Sequence, residues 1–187
     1  MWRDAPGASL LLSIILRTSL PAARVPLLSF AAAVAVAEAL ILAAGVDARL
    51  KWPNDVHVRG RKVAGILLER RGDVVVLGIG VNVTQRELAP DLQPLATSIA
   101  LEHGRADREA LLVAVRDGVA RWRDRLESEG FAPVRARWTA LATTPGRYVN
   151  ADGVEGLARG LDDDGALVID TEHGPTRIIA GDVVELS

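Results

Sequence analysis

Between Val46 and Val83 the chain alternates apolar and polar residues in short runs separated by tight turn sequences, and few folds can accommodate that pattern. Leu50 and Trp52 alternate with Arg49 and Lys51, Pro53-Asn54-Asp55 interrupts them, and Val56-His57-Val58 resumes before a turn at Arg59-Gly60. Lys62–Glu69 and Val74–Val83 follow as two more strands, parted by Arg71-Gly72-Asp73. A period of two marks strands, and such short connections join only antiparallel neighbours, because a parallel crossover needs about a dozen residues. An antiparallel meander is therefore expected at the centre of the fold.

The flanks supply what the meander packs against. The apolar run within Ser9–Arg17, followed by Pro21 and Pro26, predicts a buried strand leading into a loop. Ser29 is placed to cap a helix from Phe30 to Ala44 that stops at Gly45. That segment nearly has the length of a membrane span. It carries Glu38, is mostly Ala, and lacks basic flanks, so a helix packed on a sheet is expected. Residues 84–106 are polar and contain two prolines, which predicts a loop with a short ordered piece at Ala96-Thr97-Ser98-Ile99. After Asp107, an apolar stripe of Leu111, Leu112, Val115, Val119, Trp122 and Leu126 predicts a helix. Its other face is charged, with Asp117 four residues before Arg121 and Arg123 four before Glu127, as on a solvated helix. From about residue 142 turn pairs recur at Asp152-Gly153, Asp164-Gly165 and His173-Gly174, predicting a small antiparallel barrel that leans on the first part. The expected organisation is α+β, with domains over 1–140 and 141–187.

Composition narrows the chemistry. Across 187 residues, 22 basic against 24 acidic side chains leave no field to attract nucleic acid or an anionic membrane. Without cysteine there is no thiolate nucleophile, disulfide or cysteine-bound zinc, and a reducing cytoplasmic setting is expected. Met1-Trp2-Arg3-Asp4 does not open a signal peptide. No phosphate-cradling Gly-Lys-Ser/Thr loop or nucleophile elbow occurs, and His57, His103 and His173 are too scattered for a metal motif. Gly78-Ile79-Gly80 lies within a strand, where glycines let another backbone or a ligand come close. Of the basic residues only Lys51 and Lys62 are lysines, compact point charges in an arginine background.

Three blocks remain: Lys51-Trp52-Pro53-Asn54-Asp55, Lys62-Val63-Ala64-Gly65-Ile66-Leu67-Leu68-Glu69, and Gly78-Ile79-Gly80-Val81-Asn82-Val83. In this order and spacing they resemble the catalytic domain of biotin protein ligases, the biotin-[acetyl-CoA-carboxylase] ligase family. The resemblance extends through Trp2, the Pro6–Ser13 strand, the Ala96–Ile99 segment and the C-terminal barrel. It implies a class II synthetase-like, largely antiparallel sheet with packed helices, followed by an SH3-like barrel. It also implies two steps. Biotin and ATP, with Mg2+, give biotinyl-5′-AMP, and a lysine of a biotin carboxyl carrier protein then takes the biotin.

By that resemblance Lys62 contacts biotin and the adenylate, where a cation relieves repulsion between a carboxylate and an α-phosphate. Asp55 receives the acceptor lysine, although an Asp after Pro-Asn also stabilises turns. Asn54 and Asn82 match positions near the nucleotide and its magnesium, or serve as turn and strand residues. Gly65, Leu67 and Gly78 line a biotin pocket, with ordinary sheet packing the plainer reading for Leu67. Lys51 is a candidate phosphate partner, Trp52 belongs to the core, and no residue is assigned as a metal ligand. Ala96 falls where some family members place an aromatic against adenine, so stacking from that position is not expected.

The family carries a Gly- and Arg-rich loop, ahead of the tryptophan matching Trp2, that closes over the adenylate. Met1 stands where that loop would end, so the chain as written is expected to bind biotin poorly, form little adenylate, and expose a sheet edge with apolar surface. A non-catalytic module that docks a carrier protein, or that forms a homodimer, is the competing expectation. A lipoate ligase is less favoured by the blocks above, and a repressor role lacks a helix-turn-helix.

Overall fold

A computed structural model describes residues 6–72 and 74–186; Trp2 and the turn residue Asp73 lie outside them. The first sheet contains β1 (Ser9–Arg17), β2 (Ala48–Lys51), β3 (Asp55–Val58), β4 (Arg61–Arg71) and β5 (Val74–Asn82). Their order is β1-β5-β4-β3-β2, with every pair antiparallel, as the short turns of the meander require. β1 is not the wholly buried strand expected. It pairs only with β5 among the described residues and alternates, leaving Leu11 58% and Ile15 72% exposed while Leu10 and Leu16 are buried. A continuous apolar run hides that alternation from a sequence reading.

The inner face of this sheet is covered by α1 (Leu27–Ala39), which starts earlier than expected. Pro26, not Ser29, stands at its N-cap, already at helical φ, and Ser29 Oγ donates to Pro26 O from inside the first turn. A π-helical turn over Leu40–Ala44 completes the segment, and Gly45 ends it in the left-handed region. Ala22–Ala44 is long and apolar enough to cross a membrane, yet α1 is buried along nearly its whole length inside the protein.

Asp107 caps α2 (Arg108–Glu129) by accepting from Glu109 N and Ala110 N. Gly118 lets α2 approach α1, since a Cβ there would lie 3.1 Å from Ala35 Cβ. A third helix, α3 (Ala132–Leu141), completes the layer, with Trp138 and the preceding Phe131 meeting Phe30 edge-on. Glu38, the lone acid of α1, accepts from Trp122 Nε1, Arg121 and Arg137 and so ties all three helices together. Neither expected four-residue ion pair of α2 forms. Asp117 pairs with Arg116, Arg121 with Glu38 and Arg123 with Asp124, while Glu127 accepts from Thr18 Oγ1. Tertiary partners and immediate neighbours outcompete weak helix-surface pairs.

The C-terminal part is a second antiparallel sheet of β6 (Tyr148–Ala151), β7 (Val154–Leu161), β8 (Leu167–Thr171), β9 (Gly174–Ile178) and β10 (Val183–Glu185), in the order β10-β6-β7-β8-β9. Asp152 and Gly153 both have positive φ, as a two-residue hairpin turn demands. This sheet does lean on the first part. Gly165 sits against Phe30 and Leu27, where a Cβ would come within 2.6 Å of the Phe30 ring, and its carbonyl accepts from Trp52 Nε1.

Candidate active site

The outer face of the first sheet carries the site. Residues directly opposite across a sheet share a face, so the register places Leu11, Gly80, Gly65 and Asp55 in one row and Ser13, Gly78 and Leu67 in the next. Where side chains would stand, three of these seven positions offer only backbone. The result is a depression of about 420 Å³, lined by Leu11, Ser13, Asn54, Lys62, Leu67 and the three glycines among others. That size suits a small organic ligand. At Gly78 a Cβ would meet Leu67 Cβ and O at 3.7 Å, ordinary contact, so the fold itself does not demand glycine there.

Lys62 reaches this face because β4 bulges. His57 pairs with Lys62 while Val56 pairs with Ala64, so Val63 is the extra residue, and Val63 and Ala64 are both buried. In unbroken register Lys62 would share the parity of Ala64 and Ile66 and point into the core. Its backbone is also held by the loop after β5: Lys62 N donates to Leu95 O and Thr97 N donates to Lys62 O. The loop is anchored in turn by the buried Glu102 carboxylate, which accepts from Arg61 and Thr97 Oγ1.

Lys62 Nζ stands 2.5 Å from Asp55 Oδ1, and His57 Nε2 lies 3.8 Å from Asp55 Oδ2. Burial pushes the Asp55 carboxyl up, but His57 and Lys62 beside it outweigh that and hold it below the usual aspartate value. Asp55 is therefore a carboxylate at neutral pH, poised to receive a cation. Asn54 borders the depression and is fixed by two bonds to Ile66, its Nδ2 donating to the carbonyl and its carbonyl accepting from the amide.

The other expected site residues lie apart. Asn82 is only 7% exposed, and its side chain donates to Thr97 O and accepts from Gln85 Nε2. It holds the 96–99 segment against the sheet and does not line the depression. Lys51 is opposite Asp55 in register, on the same face but outside the depression. Leu11, Ser13 and His57 carry no site signal in the sequence, and Gly80 is marked there only as a glycine that lets a backbone or ligand come close; the strand register brings all four to this face. Among the described residues no three His, Asp or Glu side chains cluster as a metal site.

Comparison with known proteins bears on the family and the fold. Residues 1–85 match the Biotin/lipoate A/B protein ligase family and residues 147–184 match the Biotin protein ligase C terminal domain. A biotin--[acetyl-CoA-carboxylase] ligase of Paracoccus denitrificans is 40% identical over 193 residues, covering 95% of this chain and 80% of that protein. A bifunctional ligase/repressor BirA of Bacillus spizizenii is 32% identical over 98% of this chain, and the chain spans 60% of its length. The structure is similar to the biotin protein ligase of Aquifex aeolicus in complex with biotin and ATP, with a TM-score of 0.86 and 27% identity over 95% of this chain and 78% of that one.

Proposed function

Because this chain belongs to the biotin protein ligase family, we propose that it joins biotin to ATP as biotinyl-5′-AMP, releasing pyrophosphate, and then passes biotin to a lysine of a biotin carboxyl carrier domain. The observation that carries this reading is a lysine ammonium held at the rim of a glycine-floored depression. A flat bicyclic ligand needs close backbone approach, which Gly65, Gly78 and Gly80 permit, and an apolar wall, which Leu11 and Leu67 supply.

In the first step two anions must meet. The Lys62 ammonium, released from Asp55, stands between the biotin carboxylate and the α-phosphate and stabilises the charge that builds there. A unit charge about 4 Å away at an effective dielectric near 20 is worth roughly 4 kcal/mol, an upper figure for a half-open site. Magnesium enters as part of the nucleotide, with the Asn54 amide and Lys51 as neighbours of its phosphates. In the second step Asp55, a carboxylate held ready beside the depression, receives the acceptor ammonium. The reaction belongs in the cytoplasm, where ATP and carrier domains are found. A homodimer is part of the same reading, formed through the apolar surface that Leu11 and Ile15 leave at β1. Sedimentation equilibrium tests it, and a monomer at about 50 μM would remove it.

The experiment for the main reading is biotin-dependent ATP–pyrophosphate exchange, on the 187-residue chain and on the same chain extended upstream through its reading frame. Exchange that requires biotin, in either form, supports the ligase. Carrier-domain binding with no exchange in either form replaces it with a docking module.

A further inference from the structure

The ligase reading leaves the buried His57 ring without a task. His57 is 9% exposed, and its Nδ1 lies 3.0 Å from the Gly60 carbonyl oxygen, while its Nε2 is buried with no hydrogen-bond partner. A carbonyl only accepts, so Nδ1 carries a proton, and whenever the ring is neutral Nε2 is left as a bare lone pair. That lone pair faces Asp55 Oδ2 at 3.8 Å. In that form two acceptors confront each other across a gap that a single proton, with a closing movement of about 1 Å, turns into an N–H···O bond. The mismatch is tolerable only while Asp55 is satisfied elsewhere, as it is by Lys62.

We propose that His57 is a positioning residue that stands in for Lys62 as the partner of Asp55, and that its Nε2 takes, through Asp55, the proton the acceptor amine must lose. This rests on the ligase reading above. The sequence is fixed by charge balance. When Lys62 moves onto the anionic adenylate, Asp55 is left without its cation, and the incoming lysine arrives as an ammonium and takes that place. A carboxylate, with a pKa of about 4 even when unperturbed, is a poor final holder for an ammonium proton, whereas an imidazole lone pair, at about 6.5, is a better one. One proton passes from the ammonium nitrogen to Asp55 and from Asp55 Oδ2 to Nε2, leaving a neutral amine and an imidazolium paired with carboxylate.

The remaining charges around His57 are accounted for. On its own strand there is only Asp55. From β2, Arg49 lies opposite His57 and pairs with Asp47, and Lys51 lies opposite Asp55. From β4 the facing group is Lys62. At the turn, Arg59 and Arg61 both approach Glu102, Arg61 as a direct hydrogen bond.

The test is nitrogen-15 NMR of the histidine rings, on the intact chain and without substrates, comparing wild type with Lys62→Met and Asp55→Asn and using His57→Gln to assign the signal. Wild type should show the Nδ1–H neutral tautomer. Lys62→Met should raise the His57 midpoint by about one pH unit or more, and Asp55→Asn should lower it. A midpoint that ignores Lys62→Met, or an Nε2–H tautomer in wild type, overturns the proposal. A second arm follows biotin transfer from preformed biotinyl-adenylate to a carrier domain against pH. Wild-type rate should rise through the His57 midpoint. His57→Gln should lose that limb and fall about tenfold near pH 7, retaining only the rise set by the amine. A His57→Gln profile that keeps the wild-type limb also overturns it. If His57→Gln does not fold, His103→Gln and His173→Gln identify the His57 signal by elimination and the Lys62→Met midpoint decides alone. Absence of pyrophosphate exchange would sink the ligase reading, and the NMR arm still reports on the triad.

Discussion

The two faces of β5 are built from alternate residues of one strand and do opposite things. Inward, Val75, Leu77, Ile79 and Val81 are buried and belong to the core shared with the helices. Outward, Val76, Gly78 and Gly80 face the open side, where the glycines have no side chain to fill anything. The inner face is stabilised by volume and the outer one is made useful by its absence. The cavity is therefore not a flaw in the core but a stretch of sheet left bare on the side the helices do not cover. It follows that stability and ligand binding should respond to different residues, even neighbours in sequence.

The largest separation is expected at Lys62. Lys62→Met should slow adenylate formation by about a hundredfold to a thousandfold, read by pyrophosphate exchange, while the urea unfolding midpoint stays near wild type because the lysine is a half-exposed partner of Asp55. On the inner face the reverse holds. Leu77→Ala should cost about 2–5 kcal/mol in chemical unfolding, since Leu77 is fully buried and the rigid sheet cannot collapse onto the void.

Glu38 sharpens the comparison, being a charge placed on the stabilising side. Burial pushes its pKa up, but the bonds from Trp122 and Arg137 and the nearby Arg121 more than offset this, so it stays below the usual glutamate value. A depressed folded pKa gives stability that is complete above the unfolded value of about 4.5 and is lost as pH falls through the folded one. Asp55 adds to the same trend, from an unfolded value near 3.8. Unfolding midpoints should therefore drop between about pH 5 and pH 3, and Glu38→Gln, itself about 1–3 kcal/mol less stable at pH 7, should show a shallower drop. The smallest effect belongs to the open side: at a dilution where the chain is monomeric, Ile15→Ser should leave stability within about 0.5 kcal/mol, as Ile15 projects from the isolated sheet. A loss above 2 kcal/mol there would mean that this face is covered in solution.

Much of this was legible in the chain because turns constrain more than propensities do. Arg59-Gly60 and Arg71-Gly72 fix the meander, and Asp152-Gly153 fixes the first hairpin of the second sheet. The start of α1 was misplaced, since Ser29 is a good cap by type while Pro26 had already set the helical φ. α3 went unassigned because ten residues following Gly130 show little helical patterning of their own, and it is Phe131 and Trp138 against Phe30 that hold them. In the site, the glycines and Lys62 could be picked out by motif, but their common face could not. That face depends on a bulge at Val63, which no periodicity announces, and the bulge is what joins Lys62 to Asp55 and His57. Asn82 matches a position near the nucleotide by resemblance, or a strand residue by type, and the structure adds its bonds to Thr97 and Gln85, partners that only the folded loop supplies.

The most direct measurement is biotin binding by titration calorimetry for wild type and Gly78→Val, each in the 187-residue and upstream-extended forms, with thermal unfolding in parallel. A valine there has room against Leu67 and suits a strand, so Tm should hold or rise while biotin affinity falls by at least about a hundredfold. Equal biotin affinity in the two proteins would contradict the account, because the bare face of the sheet would then not be where biotin lies.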